Sequence, residues 1–192
     1  MHINTGTHYR RRFLTAVFSL LVMSSAASHS ALAASASEID RKVTEVLNKL
    51  YDSTPGAKTL GDQAKGILVF PETIKLGFLV GGQFGSGALR MQNKTTGYYR
   101  IVAGSFGLQA GLQAFATVLM FMDEASLNYF DRSGGWEFGA APSIVVLNKG
   151  LAGSITTTTM QKGVFAFVFN QQGVMAGIGL EGTKIGKITP DP

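Results

Sequence analysis

The sequence predicts an α+β protein in which an N-terminal helical pair packs on, or plugs, a curved, barrel-like antiparallel β-sheet. Three observations predict it. Residues 37–51 repeat their apolar side chains at helical spacing, whereas nearly everything after Gly66 is short apolar runs separated by turn residues. Glycine is also spread through those runs rather than confined to the turns.

The first 33 residues stand apart from this fold. Tyr9-Arg10-Arg11-Arg12-Phe13-Leu14 opens an apolar run to Met23, and small residues lead to Ala31-Leu32-Ala33. A basic start, a short apolar middle and an A-x-A exit describe a cleaved secretory signal peptide, with an apolar stretch too short to span a bilayer. Arg10-Arg11-Arg12-Phe13-Leu14 fits the twin-arginine pattern, and the same residues fit an ordinary Sec signal. Residues 34–192 are then one domain, expected in the periplasm, or on a periplasmic membrane surface, of a Gram-negative bacterium. No cysteine is present to carry a lipid anchor or a disulfide.

Removing the leader changes the chemistry available. The chain has 17 Lys+Arg, 12 Asp+Glu and 3 His. Three arginines and all three histidines (His2, His8, His29) lie in the leader, so the mature body is only mildly basic. That charge gives no nucleic-acid footprint and is compatible with an anionic lipid surface. Without His or Cys, the usual general base, the thiol nucleophile and nearly every transition-metal site are excluded, so neither cofactor nor metal is expected.

In the helical region, Ile39, Val43, Val46, Leu47 and Leu50 form one stripe. Ser37 with Asp40 suggests a cap, and Glu38–Lys42 and Glu45–Lys49 are favourably oriented i,i+4 pairs. Thr54 is placed to cap a second short helix, with Pro55 at its first position and Leu60 facing inward. The stripe can pack on the sheet or enter a bilayer, and packing is the commoner use.

The strands expected after it are Ile67–Phe70, ended by Pro71, then Gly77–Gln92, Tyr98–Gln113, Phe115–Met122, Trp136–Leu147, Leu151–Met160, Val164–Phe169 and Val174–Leu180. A short helix is expected over Glu124–Phe130. Links this short suit antiparallel hairpins. Of 24 glycines, one precedes the mature chain. The remainder is about twice the usual share of ~7% and points to a strongly bent sheet.

Two enzymatic readings are weak on the residues alone. Gly81-Gly82-Gln83-Phe84-Gly85-Ser86-Gly87 departs from the dinucleotide-binding G-x-G-x-x-G order, and no helix pattern follows to supply a phosphate cradle. Glu72, Asp123, Glu124, Glu137 and Glu181 sit beside turn residues, where solvated charge is the ordinary state. Trp136, Tyr98 and Tyr99 fit the core better than a lipid interface. The chain is therefore read as no enzyme.

Five blocks carry a resemblance. Ala64-Lys65-Gly66-Ile67-Leu68-Val69-Phe70-Pro71 is followed by Ile74-Lys75-Leu76-Gly77-Phe78-Leu79-Val80 and the glycine-rich run to Gly87. Next come Gly104-Ser105-Phe106-Gly107-Leu108-Gln109-Ala110-Gly111 with Val118-Leu119-Met120-Phe121, then Phe138-Gly139-Ala140-Ala141-Pro142, and last Gly173 to Gly182. In this order they resemble the SYLF lipid-binding domain family through nearly the whole mature chain. The resemblance implies binding of phosphoinositides or other anionic phospholipids. Some eukaryotic members also bind actin, an activity not expected of an exported chain. Lys65 and Lys75 lie inside the family motif and are the first candidates for headgroup contact. Lys42, Lys49 and Lys58 on the helical segment follow, then Lys162, Lys184 and Lys187 near the C-terminal strands. Each of these lysines also has a plain reading as solvated surface. The competing function is an envelope scaffold that meets another protein and no lipid.

Overall fold

The computed structural model describes residues 34–54, 56–133, 144–147, 163–173 and 183–191. Helix α1 (Ala36–Ser53) and helix α2 (Ala57–Gln63) precede strands β1 (Gly66–Met91) and β2 (Lys94–Phe121). Helix α3 (Glu124–Arg132) and strands β3 (Ile144–Leu147), β4 (Val164–Gly173) and β5 (Thr183–Ile188) complete the described elements. The fold class is α+β, as expected.

Helix α1 starts two residues earlier than the Ser37–Asp40 cap implied. Ser35 is its N-cap, and the Ser35 hydroxyl accepts the backbone N–H of Glu38. The predicted stripe is its buried face: Ile39, Val43 and Leu50 are no more than 2% exposed. They pack against Val69, Ala88, Ala116, Val118, Met120, Phe165 and Phe167. The stripe therefore lies on the sheet. Lys42 pairs with Glu38 at 3.1 Å as expected, but Glu45 bonds Arg41 at 2.6 Å instead of Lys49. Thr54 closes α1 as its C-cap, and Gly56, at φ 79°, is the N-cap of α2. Only a residue without a Cβ enters that left-handed conformation at little cost.

Strands β1 and β2 form one very long antiparallel hairpin, paired from Gly66↔Phe121 to Met91↔Lys94. Pro71 does not end the first strand, because a register shift between Phe70 and Thr73 takes it up as a bulge. The second predicted break, between Gln113 and Phe115, is likewise continuous strand. The hairpin turn is Gln92-Asn93, with φ 49° and 63°, the doubly left-handed geometry that matches strand twist.

So long a hairpin must bend, and β1 comes back over its own beginning. A Cβ on Gly85 would sit 2.5 Å from the Glu72 carbonyl oxygen, and one on Gly87 would sit 2.0 Å from that of Val69. The glycines of this run serve a backbone crossing. The sheet is a half-barrel, not a closed barrel.

Among the described strands the order is β1-β2-β4-β3, with β5 paired to the far half of β2. The β3–β4 pair is parallel, from Ile144↔Val164 to Leu147↔Phe167. That departs from an all-antiparallel sheet. A long connection joins these two strands, and a parallel pair needs one. The predicted strands Leu151–Met160 and Val174–Leu180, together with Trp136, Glu137 and Glu181, lie outside the described residues.

The concave side holds the second core: Leu68, Phe70, Leu89, Tyr99, Ile101, Leu119 and Phe121, closed at one end by Leu127 and Phe130 of α3. Phe130 meets Tyr99 and Phe121 at ring separations of 4.9 and 5.1 Å. Asp123 starts α3, accepting both the backbone N–H and the hydroxyl of Ser126. No described helix is long and apolar enough to cross a membrane, which says nothing of crossing by strands.

Candidate cationic cleft

The site begins at Asp40 on the flank of α1. Its carboxylate accepts the Thr95 hydroxyl at 2.7 Å and the Tyr98 phenol at 3.0 Å, which fixes the end of the long hairpin to the helix. Burial first, and the Asp40 bond and charge next, push the Tyr98 phenol pKa upward, with Arg90 opposing. Arg90, just before the hairpin turn, donates through Nη2 to the Asp40 carbonyl at 2.9 Å and to the Thr44 hydroxyl at 2.7 Å. Its Nε is buried and has no hydrogen-bond partner.

Docking the hairpin end against α1 and α2 leaves a cleft of about 770 Å³. Lys58, Lys65 and Arg90 line it, with Tyr51, Asp62 and Glu124. Lys58 is held by Asp62 at 2.8 Å. Lys65 is exposed and forms no ion pair among the described residues. The Tyr51 phenol pKa is raised by burial and by the Asp62 charge, against an opposing effect of Arg90. Three cations against two carboxylates leave the rim net positive. A concave, polar-lined, mildly cationic cleft with a phenol and amides on its wall suits a phosphate-bearing headgroup more than an apolar ligand.

The structure distributes the lysines singled out from the sequence over several faces. Lys58 and Lys65 share the cleft. Lys42 sits between Glu38 and Glu72, at 3.1 and 3.7 Å, beside a smaller hollow of about 220 Å³. Lys49 donates to the Asn170 side chain. Lys75, only 9% exposed, is on the concave face of β1 opposite Gln113. Lys184 pairs in register with Val102, and Lys187 lies 3.8 Å from Asp131. Lys162 lies outside the described residues. Arg90 was missed, because it sits in the strand run Gly77–Gln92 and only the returning hairpin brings it to Lys58 and Lys65.

Lys75 has polar company indoors. Thr73 Oγ1, Gln83 Nε2, Gln113 Oε1, Thr117 Oγ1 and Thr183 Oγ1 are all buried without a hydrogen-bond partner. Among the described residues no three His, Cys, Asp or Glu side chains group as metal ligands. Asp123 is a helix cap, and Glu72 and Glu124 stand apart on exposed positions.

Residues 102–189 match the family model described as Las17-binding protein actin regulator, Ysc84. The match covers a little under half of the chain and agrees with the SYLF resemblance of the sequence blocks. No curated protein matches the chain significantly.

Proposed function

We propose, on the premise that residues 102–189 belong to the SYLF (Ysc84) family, that this protein binds anionic phospholipid headgroups at an envelope membrane and performs no catalysis. The observation that carries the reading is the meeting of Lys58, Lys65 and Arg90 on one concave cleft. Fixed positive charge at a lipid surface contributes about 1 kcal/mol per basic residue, and the contribution fades as salt screens it. The N-terminal leader supports a periplasmic setting, where phosphatidylglycerol, cardiolipin or lipid A phosphates are the accessible anions. The actin-regulator role in the family's description is not carried over, since an exported chain meets no actin.

Sedimentation of the mature protein with vesicles tests this. Binding to phosphatidylglycerol vesicles, absent from phosphatidylcholine vesicles and declining as salt rises, is expected. Replacing Lys58 and Lys65 together by Gln should weaken it by about thirtyfold, the equivalent of ~2 kcal/mol. Equal sedimentation with both lipids refutes the proposal. Retention of an envelope protein with no vesicle binding favours the scaffold instead.

A further inference from the structure

Helix α1 covers only the root of the sheet's outer face. Its apolar stripe rests on Val69, Val118 and Met120 of one limb of the hairpin and on Ala88 of the other. Beyond that root, described apolar residues of the same face stay exposed. Pairing places Phe84, Val102 and Lys184 in one transverse row, and Ser86, Arg100 and Gly186 in the next. Leu76 and Leu112 are paired on the other limb and point to the same side as Val69 and Val118.

Phe84 is 46% exposed, Val102 40%, Leu76 45% and Leu112 61%. Alternation along a strand normally sends such side chains to a core and puts polar ones outside. Here several buried alternates are polar (Lys75, Gln83, Gln113, Thr183), and large apolar side chains face outward. The pattern is inverted in the middle of the hairpin. The surface is smooth as well, since a Cβ on Gly104 or Gly186 would meet nothing within 4 Å.

We infer that this exposed outer face of the β1–β2–β5 sheet is a membrane-contacting surface, resting on the interfacial zone of an anionic bilayer. The inference rests on the lipid-binding reading above and adds to its cationic cleft a second surface that meets the bilayer. Charge selects the occupant. Lys184 is exposed in the row of Phe84 and Val102, Arg100 is exposed in the adjacent row, and no described residue of these two rows is acidic. Apolar side chains interleaved with cations suit the boundary between acyl chains and anionic headgroups. A second copy docking by two-fold symmetry brings like charges together on this face, which disfavours self-association.

The absence of cysteine makes the test clean. Single variants F84C, V102C and L112C, with N128C on α3 as a control, carry an environment-sensitive fluorophore on the mature protein. Added phosphatidylglycerol vesicles should shift emission to the blue at positions 84, 102 and 112 and leave position 128 unchanged. A second variant, F84S with L112S, should keep its circular dichroism and lose about tenfold in vesicle affinity, the equivalent of ~1.4 kcal/mol. Vesicle sedimentation with silent labels at 84, 102 and 112 overturns the inference and leaves the lipid-binding reading standing. No sedimentation overturns both. A blue shift that grows with protein concentration without vesicles identifies a second copy as the occupant and also overturns it.

Discussion

The carboxylate of Asp123 accepts the backbone N–H of Gly163 at 2.6 Å, joining residues forty positions apart. The same carboxylate caps α3 through Ser126, so one side chain ties the start of a helix to the start of β4. Burial pushes its pKa upward, but the amides of Gly163, Ser126 and Ala125 and the Ser126 hydroxyl outweigh that and hold it below the ordinary carboxylate value.

A depressed folded-state pKa stabilises the fold above the ordinary carboxylate range, and that contribution is lost as pH falls through the depressed value. Asp123→Asn should therefore cost about 1–3 kcal/mol at neutral pH and less in acid. Thermal melts of both proteins across the acid range should converge as pH falls. A constant gap would show that the charge is not what matters.

Tyr99 gives the opposite dependence. Burial first, then the Asp131 charge and hydrogen bond, push its phenol up to about 12. A raised pKa on this acid stabilises the fold below the ordinary tyrosine value near ~10 and ceases to do so as pH rises through the folded value. Stability should fall across that alkaline window. Tyr99→Phe should flatten the decline, measured by denaturant midpoints.

The crossing of β1 over itself predicts a contrast between two glycines. Gly87→Ala forces a Cβ against the Val69 carbonyl and should cost about 3 kcal/mol or more, or prevent folding. Gly104→Ala, with open space at its Cβ, should stay within about 0.5 kcal/mol. Equal effects in chemical denaturation would argue against the crossing.

Leu50 is fully buried between α1 and the sheet. Leu50→Ala should lower stability by about 2–5 kcal/mol, whereas a helix that leaves the body to enter lipid would show its loss in vesicle affinity instead. Comparing denaturation with sedimentation for this one variant separates the two uses of the stripe.

Thr117 carries a buried hydroxyl without a partner between apolar neighbours in register, Phe70 and Val168. Thr117→Val keeps the shape and removes the unpaired group, so stability should rise by about 1 kcal/mol. A lower melting temperature would mean that the hydroxyl is satisfied by something bound in the half-barrel.

Much of the fold was legible because its signals are local. The stripe from Ile39 to Leu50 names the buried face of α1, since a helix presents every third or fourth residue to one side. The candidate site was less legible. Lys58 and Lys65 stood out as basic residues, but Arg90 joins them only through a hairpin whose far end returns to the helices. Lys75, read as a headgroup ligand, sits on the concave side because the bulge before Thr73 resets which residues face inward.

By itself the sequence determined the class of the protein: a helical start and a glycine-rich bent sheet, with no imidazole or thiol after residue 33. Those properties depend on composition and short-range periodicity, which no folding can alter. Tertiary structure alone decided that Pro71 interrupts nothing, that Gly85 and Gly87 lie where backbone crosses backbone, that β3 runs parallel to β4, and that apolar side chains face outward in the middle of the hairpin. Each of these depends on register and on contacts between residues far apart in the chain, and a one-residue shift in pairing would have reversed the facing of a whole strand.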